Sequence, residues 1–235
     1  QYVPQGASQT LPAYPYAAPG ARLQVALGPG EFQAGIYDGD ALDGGNRLDG
    51  LGWNLGGDGG WLAAAELGWS WRDGAGHAKA GLMVAEGDFP DLSGNGAIHR
   101  HSWVGYLLVE QQLWSEPDGQ PGEGLTAFAR FGAGPADRQA GRLGVDAGLH
   151  RRGLLPGRPE DVAALGVVHL GLSRLLARPS AAAAMEAETV VEFTYRWQWR
   201  PWAYVQPDVQ WILQPGGSSA AHDALVLGLR LGVSF

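Results

Sequence analysis

Apolar residues recur at every second position along most of the chain. The C-terminal segment shows it best, with Leu225, Leu227, Leu229, Leu231, Val233 and Phe235 on one face and Ala224, Val226, Gly228, Arg230, Gly232 and Ser234 on the other. That period is the mark of a β-strand with two unlike faces. Upstream, Val205, Val209, Trp211 and Leu213 alternate with Gln206, Asp208 and Gln210, and Val191, Phe193, Tyr195, Trp197 and Trp199 alternate with Glu192, Thr194, Arg196 and Gln198. Trp61, Ala63, Ala65, Leu67, Trp69 and Trp71 oppose Glu66 and Ser70, while Ala78, Ala80, Leu82 and Val84 oppose His77 and Lys79. The spacing predicts eleven strands, near 19–27, 31–37, 61–71, 76–85, 101–114, 124–132, 141–150, 162–174, 187–199, 202–213 and 223–235. Most run to about ten residues, the span a tilted strand needs to cross a bilayer and longer than strands in soluble sheets.

The links between them carry Gly, Pro, Asp and Ser, as turns do. Short links, Gly28-Pro29-Gly30, Arg72 to Ala75 and Arg200-Pro201, tend to alternate with long ones, Asp38 to Gly60, Glu86 to Arg100 and Gln214 to His222. Outer-membrane barrels have this asymmetry, with tight periplasmic turns and long external loops. The alternation is broken by Ser115 to Glu123 and Arg151 to Asp161, which are long for periplasmic turns.

A soluble β-sandwich also alternates apolar and polar positions, with the apolar face turned inward. Long strands, a second face rich in Gly, Gln and charges of both signs, and aromatics near strand ends all favour the membrane barrel. Trp69, Trp71, Trp197, Trp199 and Trp202 flank short links as an interfacial girdle does.

Composition sharpens this picture. Gly is 38 of 235 residues, about twice the usual share, and charged residues are 17% against roughly 25% in soluble domains, which argues against a helical bundle. No Cys is present, so disulfides, thiolate metal sites and cysteine nucleophiles drop out. The net charge of -8 without Lys/Arg clusters makes nucleic acid an unsuitable partner. No apolar run reaches the length of a transmembrane helix; the richest, Val162 to Ala177, is interrupted by His169, Ser173 and Arg174. Gln1 onward lacks a charged segment followed by an apolar core, as expected of a processed or truncated chain.

Catalytic and metal motifs are sparse. His99 and His101 bracket Arg100 and could hold a metal, but no third ligand is evident and a solvated loop is the simpler reading. Gly50, Gly52, Gly56 and Gly57 lack the Lys-Ser/Thr of a phosphate loop, and no Gly-x-Ser-x-Gly elbow occurs. No catalytic residue, metal or cofactor is assigned.

Specific residues then resemble a family, the carbohydrate-selective outer-membrane porins of the OprB type. The resemblance rests on Tyr14-Pro15 with Ala18-Pro19-Gly20, Ala34 to Gly39, Ala65 to Gly68, Glu110-Gln111, Phe128-Ala129-Arg130, Gly157-Arg158-Pro159 with Asp161, and Glu192 to Tyr195. Its most specific part is C-terminal: Pro207 to Gln210, Gln214 to Gly217, and Asp223 to Val226 through Arg230 to Phe235. Gln214 stands where the family often has Asn, and Glu110 where Asp is common. The resemblance implies an all-β, antiparallel transmembrane β-barrel in the bacterial outer membrane. It also implies that residues 1–235 are the C-terminal portion of one barrel domain whose relatives have sixteen strands. Eleven strands alone are then expected not to close, because open edges would expose backbone donors and acceptors to hydrocarbon.

The implied function is selective, passive diffusion of sugars, with neutral sugars and outer-membrane lipid as partners, and with no particular sugar or oligomeric state named. The lumen-lining candidates are Arg22, Gln24, Glu66, Lys79, Glu110, Arg130, Asp146, Glu192, Arg196, Asp208, Gln210 and Arg230. Their mixed signs suit a neutral polyol, whose hydration hydrogen bonds they can replace without favouring either kind of ion. A polysaccharide export or assembly barrel and an outer-membrane barrel enzyme are the alternatives.

Overall fold

A computed structural model describes residues 19–39, 60–117, 122–176 and 186–235. They form one antiparallel sheet of eleven strands in simple sequence order, each hydrogen-bonded to its chain neighbours. The strands are β1 (Gly20–Leu27), β2 (Gly30–Asp38), β3 (Trp61–Trp71), β4 (Gly76–Pro90), β5 (Ile98–Ser115), β6 (Gly124–Ala133), β7 (Gly141–Arg152), β8 (Val162–Leu172), β9 (Ala187–Arg200), β10 (Ala203–Leu213) and β11 (Ala224–Val233). All eleven expected strands are present. β1 and β11 are not paired with each other, so the sheet is open.

Two differences from the expected boundaries have physical causes. The link expected over Glu86 to Arg100 is mostly strand: β4 and β5 run on to Pro90 and back from Ile98, with a register shift between Glu86 and Phe89 that interrupts the alternation. β8 stops at Leu172 rather than 174, because Ser173 turns away to bond the Ala136 carbonyl and a short 3-10 turn, Arg174–Leu176, follows.

The tight β1–β2 turn uses Gly28 at φ +65°, and the β3–β4 turn holds Arg72 at φ +50° and Gly74 at φ +91°. Such left-handed positions suit Gly and strain Arg. Most of the four register shifts lie near strand ends, where they re-aim side chains.

A second layer that would bury the apolar face is absent among the described residues. Leu225, Leu227, Leu229 and Leu231 are 67–74% exposed, and the same face continues through Leu165, Phe131, Leu107, Leu82, Leu67 and Leu23. This excludes the sandwich and leaves lipid as the medium that such a face requires. Trp69, Trp114, Trp197, Trp199 and Trp202 are exposed at the short-link end, with Arg151, Arg158 and Arg200 over the rings of Trp114, Trp197 and Trp199 at 4.9, 5.5 and 5.2 Å. Amphipathic rings with cations beside them fit a headgroup boundary.

The buried apolar cluster, Leu62, Met83, Ala85 and Val104, lies on the opposite, polar face, packed by Tyr37, Ala64 and Phe89. Beside it the β6–β7 link folds over this face: the buried Gln139 amide donates to Ser102 Oγ at 2.7 Å and to the Trp103 carbonyl at 3.0 Å.

Candidate functional site

Residues directly opposite in a ladder share a face, so register alone places the polar row. Gln24 opposes Gln33, Gln33 opposes Glu66, and Glu66 opposes Gly81, whose other neighbour is Tyr106. Farther along, Glu110 opposes Phe128, Arg130 opposes Asp146, Glu192 opposes Gln210, Asp208 opposes Gly228, and Gln206 opposes Arg230. With Arg22 opposite Gly35, Lys79 opposite Leu108 and Arg196 opposite Val162, all twelve candidates occupy this one face.

Hydrogen bonds and one ion pair sort them into groups. In the first, Arg22 donates to Gln24 Oε1 at 3.0 Å, and Gln24 and Gln33 both donate to Glu31, at 2.6 and 2.7 Å. Glu66 then accepts from Gln33 at 3.1 Å, Lys79 Nζ at 2.9 Å and the Tyr106 hydroxyl at 2.5 Å, so one web spans β1 to β5. Arg130 and the buried Asp146 form a second group, with Nε 3.5 Å from Oδ1. In the third, Gln210 donates to Glu192 at 3.2 Å and to Asp208 at 3.4 Å. Arg196 instead lies 4.0 Å over the Tyr204 ring. Glu110 and Arg230 join none of these groups.

Sequence reasoning missed the aromatics on this face. Phe128 leans across Gly148, Tyr106 across Gly81 and Tyr204 across Gly232, so closely that a Cβ on each glycine would meet the ring at 2.0–2.8 Å. The glycines are required there as seats for rings. The signal was a polar-row aromatic opposite a glycine on the next strand, legible only once register is known.

The His99–His101 pair separates. His101 lies against Trp61, ring centroids 6.5 Å apart, whereas His99 Nε2 is 2.8 Å from Asp91 Oδ2 and 3.6 Å from Asp137 Oδ2. Asp91, His99 and Asp137 bring three potential ligand atoms within 4.8 Å of one another. Asp137 is, however, gripped by both arms of Arg138, and Asp91 accepts from the Ser93 hydroxyl and backbone N–H. The glycines at 50, 52, 56 and 57 lie outside the described residues.

The Ser93 hydroxyl, then His99 and the Ser93 N–H, hold the Asp91 carboxyl at about 2 instead of 3.8. A depressed carboxylate stabilises above its unfolded value and loses that contribution as pH falls through the folded one. Proteolytic nicking of the 91–97 link should therefore stay slow down to about pH 4 and accelerate toward pH 2; a rate unchanged over that window would remove Asp91 as its tether.

On the apolar face, the β7–β8 link is pinned by Asp161, which is 1% exposed. It accepts from Arg158 Nε and Nη2 at 2.8 and 2.9 Å, from the Tyr195 hydroxyl at 2.5 Å and from the Gln198 N–H at 2.8 Å. Burial opposes its charge, but these donors prevail and hold its pKa below the usual carboxylate range.

An up-and-down antiparallel sheet with one lipid-compatible face and one hydrogen-bonded polar face is the wall of a transmembrane β-barrel. Comparison with known proteins carries this further. The model of the carbohydrate-selective porin family, OprB, matches residues 4–235, and the chain belongs to that family. It is 25% identical over 166 residues to Porin B of Pseudomonas aeruginosa, a match covering 64% of this chain and 37% of that protein. A high-pH structure of Pseudomonas putida OprB shares the fold, with a TM-score of 0.82 at 21% identity over 97% of this chain and 62% of that one. The chain thus spans less than two thirds of the length of either relative.

Proposed function

We propose that this chain forms wall of a bacterial outer-membrane pore through which neutral sugars diffuse passively, with the apolar face against outer-membrane lipid and the twelve candidates along the lumen. The observation that carries the reading is the chemistry of the polar face. Acids, bases and amides there are largely bonded to one another, as in the web from Arg22 through Glu66 to Tyr106. Such a wall offers donors and acceptors to hydroxyl groups while its opposite charges offset each other, so it favours neither cations nor anions. Permeation needs no bond to be made or broken, and no catalytic group enters this proposal.

Liposome-swelling rates with the full-length protein test it. Glucose should enter faster than gluconate and an amino sugar of similar size, and equal rates for all three would indicate a general diffusion pore. Within the lumen, Arg230→Ala should change relative rates more than stability, because Arg230 is outside the bonded groups. Glu66→Gln should do the reverse, since Glu66 on β3 accepts from β2, β4 and β5 and so ties four strands together. Unchanged flux in a folded Arg230→Ala variant would remove Arg230 from the solute path.

A further inference from the structure

Near the short-link end the apolar face carries a cation. A cross-strand row there reads Trp114, Leu125, Arg151 and Ala163, from β5 to β8. Arg151 therefore stands on the lipid side rather than in the lumen, with its guanidinium 4.9 Å from the Trp114 ring centroid. Its Nε is buried and has no hydrogen-bond partner among the described residues, and its Nη2 is 4.0 Å from Glu116 Oε2, too far for a hydrogen bond. Arg158, also over a Trp ring, is by contrast committed to Asp161. A guanidinium with unused donors, beside an interfacial Trp, fits a phosphate, whose oxygens its planar fork matches.

From Arg151 toward mid-strand the face is shaped for a chain. Ala127 opposes Leu149, and the row beyond it, Val109, Ala129, Ala147 and Val167, sets two alanines between exposed valines. Strands about 4.8 Å apart put those valines roughly 14 Å apart, so a shallow track with an alanine floor runs along β6 and β7. It ends at the exposed Phe131, whose row neighbours are Leu107 and Val145. From Leu125 to Phe131 is roughly 20 Å of strand, which at a tilt of about 40° is about 15 Å of depth, one leaflet of a hydrocarbon core about 30 Å thick. Cation, ring and track are thus spaced as the phosphate, glycerol and one acyl chain of a single lipid.

We propose that Arg151, Trp114 and the alanine track bind an ethanolamine phospholipid, with the guanidinium on its phosphate and one acyl chain over Ala127, Ala129 and Ala147. Short links mark the periplasmic side of a barrel, so the lipid belongs to that leaflet. Glu116 selects the headgroup: a carboxylate 4.0 Å from the guanidinium is placed to take an ammonium two carbons beyond the phosphate oxygen. A glycerol headgroup, which has no cation, gains no ion pair from Glu116. The inference rests on the reading of this face as the lipid-facing wall of the proposed pore, and adds to it a particular lipid and its place.

The test uses the full-length protein, delipidated in detergent, with dioleoyl phosphatidylethanolamine and dioleoyl phosphatidylglycerol in competition and bound lipid counted by native mass spectrometry. The parent should retain one ethanolamine lipid in preference to the glycerol lipid. Arg151→Gln should weaken retention about tenfold. Arg151→Lys should weaken it several-fold, because an ammonium lacks the fork, whereas a cation that merely reaches to the interface would tolerate Lys. Ala129→Phe blocks the track from the exposed face and should weaken retention about tenfold; it serves equally if the Arg151 variants do not fold. Glu116→Gln should abolish the headgroup preference. No lipid retained by the parent, a preference for the glycerol lipid, or folded Arg151 and Ala129 variants that bind as the parent does would overturn the site. Glucose uptake by liposomes carrying the parent is read separately. Uptake without lipid retention would overturn the site alone, and lipid retention without uptake would overturn the sugar-pore reading alone.

Discussion

Leu229→Lys should lower folding free energy in lipid vesicles by roughly 2–4 kcal/mol, whereas Val226→Lys, three residues away on the other face, should cost well under 1 kcal/mol. Both side chains are exposed, Leu229 by 67% and Val226 by 41%, so neither substitution disturbs a packed protein core. What differs is the solvent. Leu229 stands mid-strand in the row Leu225 to Val233 and opposes Pro207, whereas Val226 opposes Gln210 on the polar face. An ammonium at the first site must enter hydrocarbon or distort the bilayer, and at the second it enters the lumen. Gly232 would be a poor control, because a Cβ there meets the Tyr204 ring at 2.0 Å and the cost would be steric. Urea unfolding of the two variants decides the matter: equal losses, or a larger loss at Val226, would invert the facing of β11.

Asp161→Ala should cost about 2–3 kcal/mol, a large effect for a residue in a link. The substitution leaves the Gln198 N–H and the Tyr195 hydroxyl without their acceptor and the Arg158 guanidinium without its counter-charge. Arg158 is 35% exposed on its side chain, so water screens part of the charge loss and keeps the figure below that for a fully buried pair. The same geometry sets a pH dependence. Because the Asp161 pKa lies below the usual range, its contribution is present at neutral pH and is lost as the medium acidifies through that lowered value. Asp161→Ala should therefore flatten the acid limb of the stability profile. A variant as stable as the parent at pH 7, with the same acid limb, would show that the link is held by other contacts.

The strands were legible in the sequence because their signal is local. A strand exposed to lipid on one face and water on the other must alternate residue by residue, so each segment declares itself without knowledge of its partners. The predicted bounds of β3, β10 and β11 accordingly lie within one or two residues of the observed ones. Where the pattern was misread, a second medium had intervened. The tips of β4 and β5 rise past a register shift, and Phe89 turns to pack with the buried Val104 cluster, so the alternation that would have marked those strands is lost.

The site was legible only as a list. Parity within each strand was enough to put the twelve polar candidates on one face, since that depends on single-strand periodicity and on the cost of a charge in lipid. Which of them bond one another depends on register across strands up to 40 positions apart, as with Glu66 and Tyr106. The same holds for Asp91 and His99, which flank the β4–β5 link, meeting Asp137 of the β6–β7 link, and for Phe128 meeting Gly148. By itself, then, the sequence determined the fold class, the strands and the two faces, because bilayer and water act on every residue independently. Only the tertiary structure decided which polar groups are spent on one another and which glycines seat a ring, because those depend on alignment between strands.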